Sequence, residues 1–206
     1  MIKLYRAPYS TNVERVTLAL AYKGLAVESV VIDYSDRSPV ERVSGQGLVP
    51  VIDDGGAVVA DSRRILHHLD ERYPDPPLFP ADPARRAEVD VFLDWFDGVW
   101  KVPPNAIEAE LGEPEPDRER IGALSRTMAG WLDRFELLLT GRAHLTGDDF
   151  GAADCVAFPF LKYARSREPA DGELFHRILD EHQRLSDAHP RLAGWIERVD
   201  ARPRVC

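Results

Sequence analysis

LVPVIDDGGAVVADSRRIL, residues 48–66, is the stretch that decides how the first part of the chain folds. Two short apolar runs, Val49 to Asp53 and Ala57 to Ala60, flank Asp54-Gly55-Gly56. That spacing and those turn residues read as a β-hairpin, because glycine accepts the positive φ that a tight hairpin turn demands. Directly after it, Ser62 to Tyr73 changes to helical spacing, with Ile65, Leu66 and Leu69 facing inward. Upstream, Ser35 to Gly47 is a polar loop, and Val27 to Asp33, rich in valine and isoleucine, reads as a buried strand. Val13 to Lys23 places Val13, Val16 and Leu20 on one helical face and ends at Gly24. Ile2 to Tyr5 is a short apolar strand. The order is βαβ, a loop, ββ, then α: a small mixed sheet with helices packed on it.

Downstream of the hairpin the pattern changes. Pro74, Pro76, Pro77, Pro80 and Pro83 cluster within a few residues, which marks a stiff linker and a domain boundary. Beyond it the spacing is helical only. Arg85 to about Trp100 carries Val89, Phe92, Leu93 and Phe96 on one side, and Pro103-Pro104 is expected to break or kink that helix. Arg118 to Leu139 aligns Ile121, Leu124, Met128, Trp131, Leu132 and Phe135. Ala152 to Ala164 is almost wholly apolar and reads as a central buried helix; Pro190 to Val199 is a final short one. Two domains are expected, residues 1–76 and 84–206.

Composition narrows the function classes. With 44% hydrophobic and 30% charged residues, the chain is an ordinary globular protein. A net charge of -9 argues against a nucleic-acid partner, which needs a basic surface. No apolar run reaches membrane-spanning length, so no membrane partner is expected. The start, Met1-Ile2-Lys3-Leu4-Tyr5, enters a strand directly, without the charged and apolar regions of a secretory signal. Cys155 and Cys206 are the only cysteines and lie far apart, which fits a cytoplasmic protein rather than a disulfide framework. Cys155 reads as a small buried hydrophobe and Cys206 as a mobile terminal thiol. His67 and His68 are adjacent on a helix and point apart, so no metal site is expected.

Three places carry chemistry. Ser10-Thr11-Asn12 opens the first helix, and Thr11 with Glu14 makes a capping-box pattern. Those residues serve either as helix starters alone or, at a positive helix end, as hydroxyl donors to an anion such as a thiolate. Val49-Pro50 puts a proline at a strand start. A trans bond there is an ordinary edge feature, whereas a cis bond would turn the Val49 backbone outward to pair with an extended peptide. Asp61-Ser62 is either the N-cap of the next helix or a site for an amino acid, with the carboxylate at the helix end and the ammonium on Asp61.

Tyr5-Arg6-Ala7-Pro8-Tyr9-Ser10 followed by Arg15-Val16 resembles the start of serine-type, bacterial-like members of the glutathione transferase superfamily. Leu48-Val49-Pro50-Val51-Ile52 resembles that family's cis-proline segment, and Asp61-Ser62-Arg63-Arg64-Ile65-Leu66 its glutamyl-binding segment. Arg86-Ala87, Thr146-Gly147-Asp148-Asp149-Phe150 with Ala153-Asp154, and Pro190, Trp195 and Arg202-Pro203 extend the resemblance along the whole chain. It implies an α/β thioredoxin-like N-terminal domain followed by an all-α C-terminal domain. It also implies that Ser10 donates to the sulfur of glutathione, the co-substrate, assisted by Asn12. Val49 and Pro50 would then hold the cysteinyl part, and Asp61 and Ser62 the γ-glutamyl end. Arg37, Arg42 and Gln46 stand as alternatives for the glycyl carboxylate, and Tyr5 and Tyr9 as competing hydroxyls. The sequence departs from the family pattern at Gly151, where a helix-starting hydroxyl is usual, at Ser44-Gly45 for Asn-Pro, and at Asp61 for glutamate or glutamine.

The resemblance implies a cytoplasmic homodimer active in detoxification, which joins the glutathione thiolate to a small electrophile. Trp95, Phe96 and Trp100 would either line the electrophile pocket or belong to the core. Ser10-Thr11-Asn12-Val13 has no cysteine at the redox position, which excludes a protein-dithiol mechanism. Disulfide reduction by two glutathione molecules, isomerisation, and a non-catalytic scaffold are the alternatives.

Overall fold

The computed structural model describes residues 1–205, so Cys206 and its expected mobility lie outside the described residues. Two compact units divide the chain: Met1–Pro83 with the described tail from Arg202 to Val205, and Ala84–Ala201.

The first unit is a four-stranded mixed sheet in the order β2-β1-β3-β4, built from β1 (Ile2–Arg6), β2 (Val27–Val31), β3 (Val51–Asp54) and β4 (Ala57–Ala60). β2 runs parallel to β1, and β3 lies antiparallel to both β1 and β4. Gly55 and Gly56 make the β3–β4 turn with φ of 65° and 96°, as the glycine pair demands. Alternation along the strands divides the core. Tyr5 and Val51 pair on one face and pack with Ile32 and Val40, the latter from α2 (Ser38–Ser44). Leu4 and Ile52 pair on the opposite face, fully buried, on the side of α1 (Thr11–Tyr22) and α3 (Ser62–Arg72), which pack on each other.

Three expectations for this unit are corrected. Val27 to Asp33 is an edge strand that stops at Val31 and leaves that residue exposed; only one neighbour covers it, so its valines reflect β propensity rather than full burial. The loop at 35–47 contains α2, which starts with Pro39 in its first turn and stops at Gly45 in the left-handed region, φ 74°. The helix-starting cap of α1 is Ser10 rather than Thr11, which is itself the first helical residue.

Two polar anchors finish the unit. Lys23 Nζ, fully buried, donates to the carbonyls of Tyr73 (2.7 Å) and Pro76 (2.8 Å) and lies 3.4 Å from Asp70 Oδ1. It thereby pins the proline-rich segment to the end of α1. At the far end of β3, Asp54 accepts from Tyr73 (2.9 Å) and Arg72 (3.0 Å) and pairs with His68 Nε2 (2.9 Å). The tail also folds back along α1: Arg204 pairs with Glu14 at 3.2 Å, and Arg202 lies over the Tyr22 ring.

The second unit is helical: α4 (Pro83–Trp95), a π-helical turn Phe96–Trp100, α5 (Val102–Leu111), α6 (Arg118–Leu138), α7 (Ala152–Leu161), a 3-10 turn Lys162–Ala164, α8 (Leu174–His182) and α9 (Pro190–Asp200). The helical run from α4 ends at Trp100 as the prolines predict, and Pro103-Pro104 lies in the first turn of the next helix, α5, where residues need no N–H partner. α8 went unread in the sequence, although Leu174, Ile178 and Leu179 give it an apolar stripe. Every residue of α7 is buried, Cys155 included, as its apolar run predicts. Phe96 and Trp100 stack at 4.5 Å and are buried, so the core reading holds for both, while Trp95 is half-buried.

Asp154, wholly buried, organises this unit. Its Oδ2 accepts from the Gly151 N–H at 3.0 Å, which closes the start of α7 without a side chain at the cap. Its Oδ1 accepts from the Leu145 N–H (3.2 Å) and the Trp195 indole (2.6 Å) and lies 3.3 Å from His144 Nδ1. Glu136 of α6 plays a similar part for α9, taking the Leu192 N–H at 2.8 Å.

Asp154→Ala leaves several buried donors unsatisfied, and urea unfolding should show a loss of at least ~3 kcal/mol. The Asp54 cluster predicts a pH effect. Burial pushes the Asp54 carboxyl up, but the hydrogen bonds from His68 and Tyr73 and the charge of Arg72 outweigh it and hold the pKa below the ordinary value. Such a group stabilises the fold fully above its unfolded pKa of about 4 and loses that contribution as pH falls through the lower folded value. Asp54→Asn should therefore lose less stability on acidification below about pH 4 than the parent protein, as read by thermal melts at stepped pH.

Candidate functional site

The register of the first unit brings separated segments together. Val51 pairs with Tyr5 on one side and Ala60 on the other. The chain therefore leaves β1 toward Ser10, enters β3 from Val49-Pro50, and leaves β4 into Asp61-Ser62, all at one end of the sheet. With strands about 4.8 Å apart, the three segments span about 10 Å laterally. β2 ends at the same edge, since Val31 pairs with Arg6.

Ser10 is the N-cap of α1, half-buried, with an extended backbone (φ -76°, ψ 112°). Its Oγ accepts from the Val13 N–H at 3.3 Å. Accepting uses a lone pair and leaves the hydroxyl proton to donate outward. Tyr9, just before it, is 52% exposed and adopts φ 59°. Asn12 is the second residue of the helix and half-buried. Tyr5 is buried in the sheet core, which removes it as a competing hydroxyl.

The Val49–Pro50 peptide bond is cis. Pro50 is buried, and Val49 lies just outside the ladder that begins at Val51. Asp61 caps α3: its Oδ1 accepts from the N–H groups of Arg63 (3.0 Å) and Arg64 (3.1 Å). The cap occupies Oδ1 and leaves Oδ2 aside, on an exposed residue with φ 79°. Among the described residues, Tyr9 and Asp61 are the two non-glycines with positive φ, and both adjoin helix starts at this end of the sheet. Strain of that kind concentrates where geometry matters more than stability.

The remaining candidates lie in the segment around α2. Arg37 donates to the Gly47 carbonyl at 2.9 Å and lies over the Tyr34 ring. Arg42 donates to Ser38 Oγ, and Gln46 bridges Ser44 and Leu48. Arg15 has no expected task in the sequence. The structure buries it, and its Nη1 donates to Ser62 Oγ at 3.4 Å. A cation sharing a helical face with apolar Leu18 and Ala19, three and four residues on, was the available signal.

Comparison with known proteins bears on what this arrangement serves. Residues 4–77 match the family model for the glutathione S-transferase N-terminal domain, and residues 115–198 that for its C-terminal domain. Glutathione S-transferase Z1 of Arabidopsis thaliana is 31% identical over 174 residues, 81% of this chain and 78% of the relative. The chain belongs to the glutathione S-transferase family. A stringent starvation protein A homolog of Pasteurella multocida is 30% identical over 148 residues, covering 71% of this chain and 67% of its own. Among solved structures, a glutathione S-transferase from Rhodospirillum rubrum superposes with a TM-score of 0.77 at 26% identity, over 98% of this chain and 89% of that one. The mixed sheet of the first unit and the helices of the second are the thioredoxin-like and all-α domains of that family.

Proposed function

We propose that this protein is a glutathione transferase that binds glutathione along the sheet end described above and adds its thiolate to a small electrophile. Residues 1–76 hold the thiol and the helices from residue 84 onward supply the electrophile's site. The observation that carries the reading is Ser10, whose oxygen is committed as a cap while its proton is not. Asp61 takes the ammonium and Ser62 the carboxylate of the γ-glutamyl group, Val49 beside cis Pro50 offers its backbone to the cysteinyl part, and Asn12 assists Ser10.

The energetics are in range. Lowering a thiol from about 8.5 by two units takes about 2.7 kcal/mol. A hydroxyl donated to an anion contributes about 1.5–3 kcal/mol, and the helix end adds about 0.3–1 kcal/mol. The thiol proton leaves to solvent, and the electron pair on sulfur forms the new bond to the electrophile; in substitution the leaving group departs with its bonding pair, and in addition the broken π bond's pair takes up a proton from solvent. The reading carries with it a cytoplasmic homodimer acting in detoxification. Exposed Val91, Val99 and Val102 succeed one another along the first helices of the second unit, where a second copy would cover them.

A scaffold without catalysis is the second reading, because a family fold does not by itself establish activity. Titration with glutathione separates the two: a folded protein that binds none supports the scaffold.

Ser10→Ala should lower kcat about 10- to 100-fold and raise the pKa of the bound thiol by about 1–2 units, read from the thiolate absorbance against pH. It should also cost about 1 kcal/mol of stability through the lost cap, whereas Ser10→Gly keeps most of the cap and loses the same rate. Equal turnover in the glycine variant would move the donor role to Asn12 or Tyr9. Asp61→Asn keeps the α3 cap but not the charge, so calorimetry should show weaker glutathione binding without a change in melting temperature. Unchanged affinity would remove Asp61 from the ammonium site.

A further inference from the structure

We infer that Arg15 is a positioning residue of this site, acting through Ser62 on the γ-glutamyl carboxylate; the inference rests on the glutathione reading above. Arg15 lies in the second turn of α1 with only 1% of its surface exposed. A guanidinium is retained in such surroundings only where hydrogen bonds and nearby negative charge offset its desolvation. Its Nη1 reaches Ser62 Oγ at 3.4 Å, and Ser62, the first residue of α3, is itself 4% exposed.

The chemistry of that bond has one direction. Arginine carries donors and no acceptor, so the serine oxygen accepts. The Ser62 hydroxyl proton is thereby left to donate elsewhere, and a hydroxyl whose lone pair is held by a cation donates more strongly to an anion. It does so at a helix start, where the field already favours negative charge. Asp61, adjacent, has Oδ2 outside its capping bonds for the neighbouring ammonium. A carboxylate and an ammonium on one carbon match this pair, and the γ-glutamyl end of glutathione carries both.

The same bond spans two elements. α1 bears Ser10 at its cap and α3 bears Asp61 at its own, 47 residues separate Arg15 from Ser62, and their contact links the two helices near those starts. Arg15 thus relates the place of the glutamyl end to the place of the sulfur.

The test measures the affinity of glutathione, and of its analogue without the glutamyl α-carboxylate (4-aminobutyryl-cysteinylglycine), by calorimetry. The proteins are the parent, Arg15→Met, Arg15→Lys, Ser62→Ala and the double variant Arg15→Met with Ser62→Ala, each with a thermal melt. Arg15→Met should weaken glutathione about tenfold or more and leave the analogue unchanged. The double variant should bind glutathione no more weakly than the worse single one. Arg15→Lys should recover part of the loss, because it keeps the charge without the fork geometry. Equal losses for both ligands, or additive losses in the double variant, overturn the inference by leaving Arg15 a purely structural part. Should Arg15→Met fail to fold, Arg15→Lys and Ser62→Ala against the two ligands decide the same question. A parent protein that binds both ligands equally overturns the inference alone, and one that binds neither overturns the glutathione reading with it.

Discussion

Val51 sits between Tyr5 and Ala60, and those two register positions decide where every candidate residue of the first unit emerges. A slip of one residue in β3 would exchange its faces, sending Val51 away from the Val40 cluster and Ile52 away from Leu4. Both faces are buried, so such a slip carries a hydrophobic cost that the sheet does not tolerate. The tight turn at Gly55-Gly56 fixes the β4 side of that register, and pairing with β1 fixes the other. The cap of α1, the cis proline and the cap of α3 come to one end of the sheet as a consequence of packing, before any ligand is considered.

The helical unit depends on a different kind of constraint. Its buried anchors are carboxylates that accept several donors each: Asp154 joins the start of α7 to the 144–145 turn and to α9, and Glu136 joins α6 to the start of α9. Burying a polar group is unfavourable unless its hydrogen-bonding sites are filled, and here the fillers come from elements far apart in sequence. Each carboxylate is therefore satisfied only when its helices are mutually in place, which makes the arrangement specific as well as stable.

Much of the fold was legible because it rests on local rules. Paired glycines demand a hairpin turn, an unbroken apolar run demands a buried helix, and the helical spacings of α1, α3 and α6 follow from one apolar face each. The misreadings occurred where local rules are degenerate. Ser10, Thr11 and Asn12 are all good caps, so the sequence left the helix start uncertain by one residue, and the shift matters because it gives Ser10 the capping bond. Val27 to Val31 has the composition of a central strand, but edge position is a property of the assembled sheet. The α2 segment had a proline near its start and a glycine at its end, yet its polar character masked a helix of two turns. The Arg15–Ser62 contact joins residues 47 apart, and no spacing rule announces such a pair.

The segment from Arg202 to Val205 belongs to the first unit, although the whole helical unit precedes it in the chain. During synthesis the sheet and its helices leave the ribosome early, but the Arg204–Glu14 pair and the Val205 bond to the Thr17 carbonyl must wait until the helices of the second unit have been made. The first unit therefore passes through a stage in which Glu14 and the Thr17 carbonyl of α1 await these contacts while translation continues. The helix that carries Ser10 is thus completed last, by residues from the other end of the described chain.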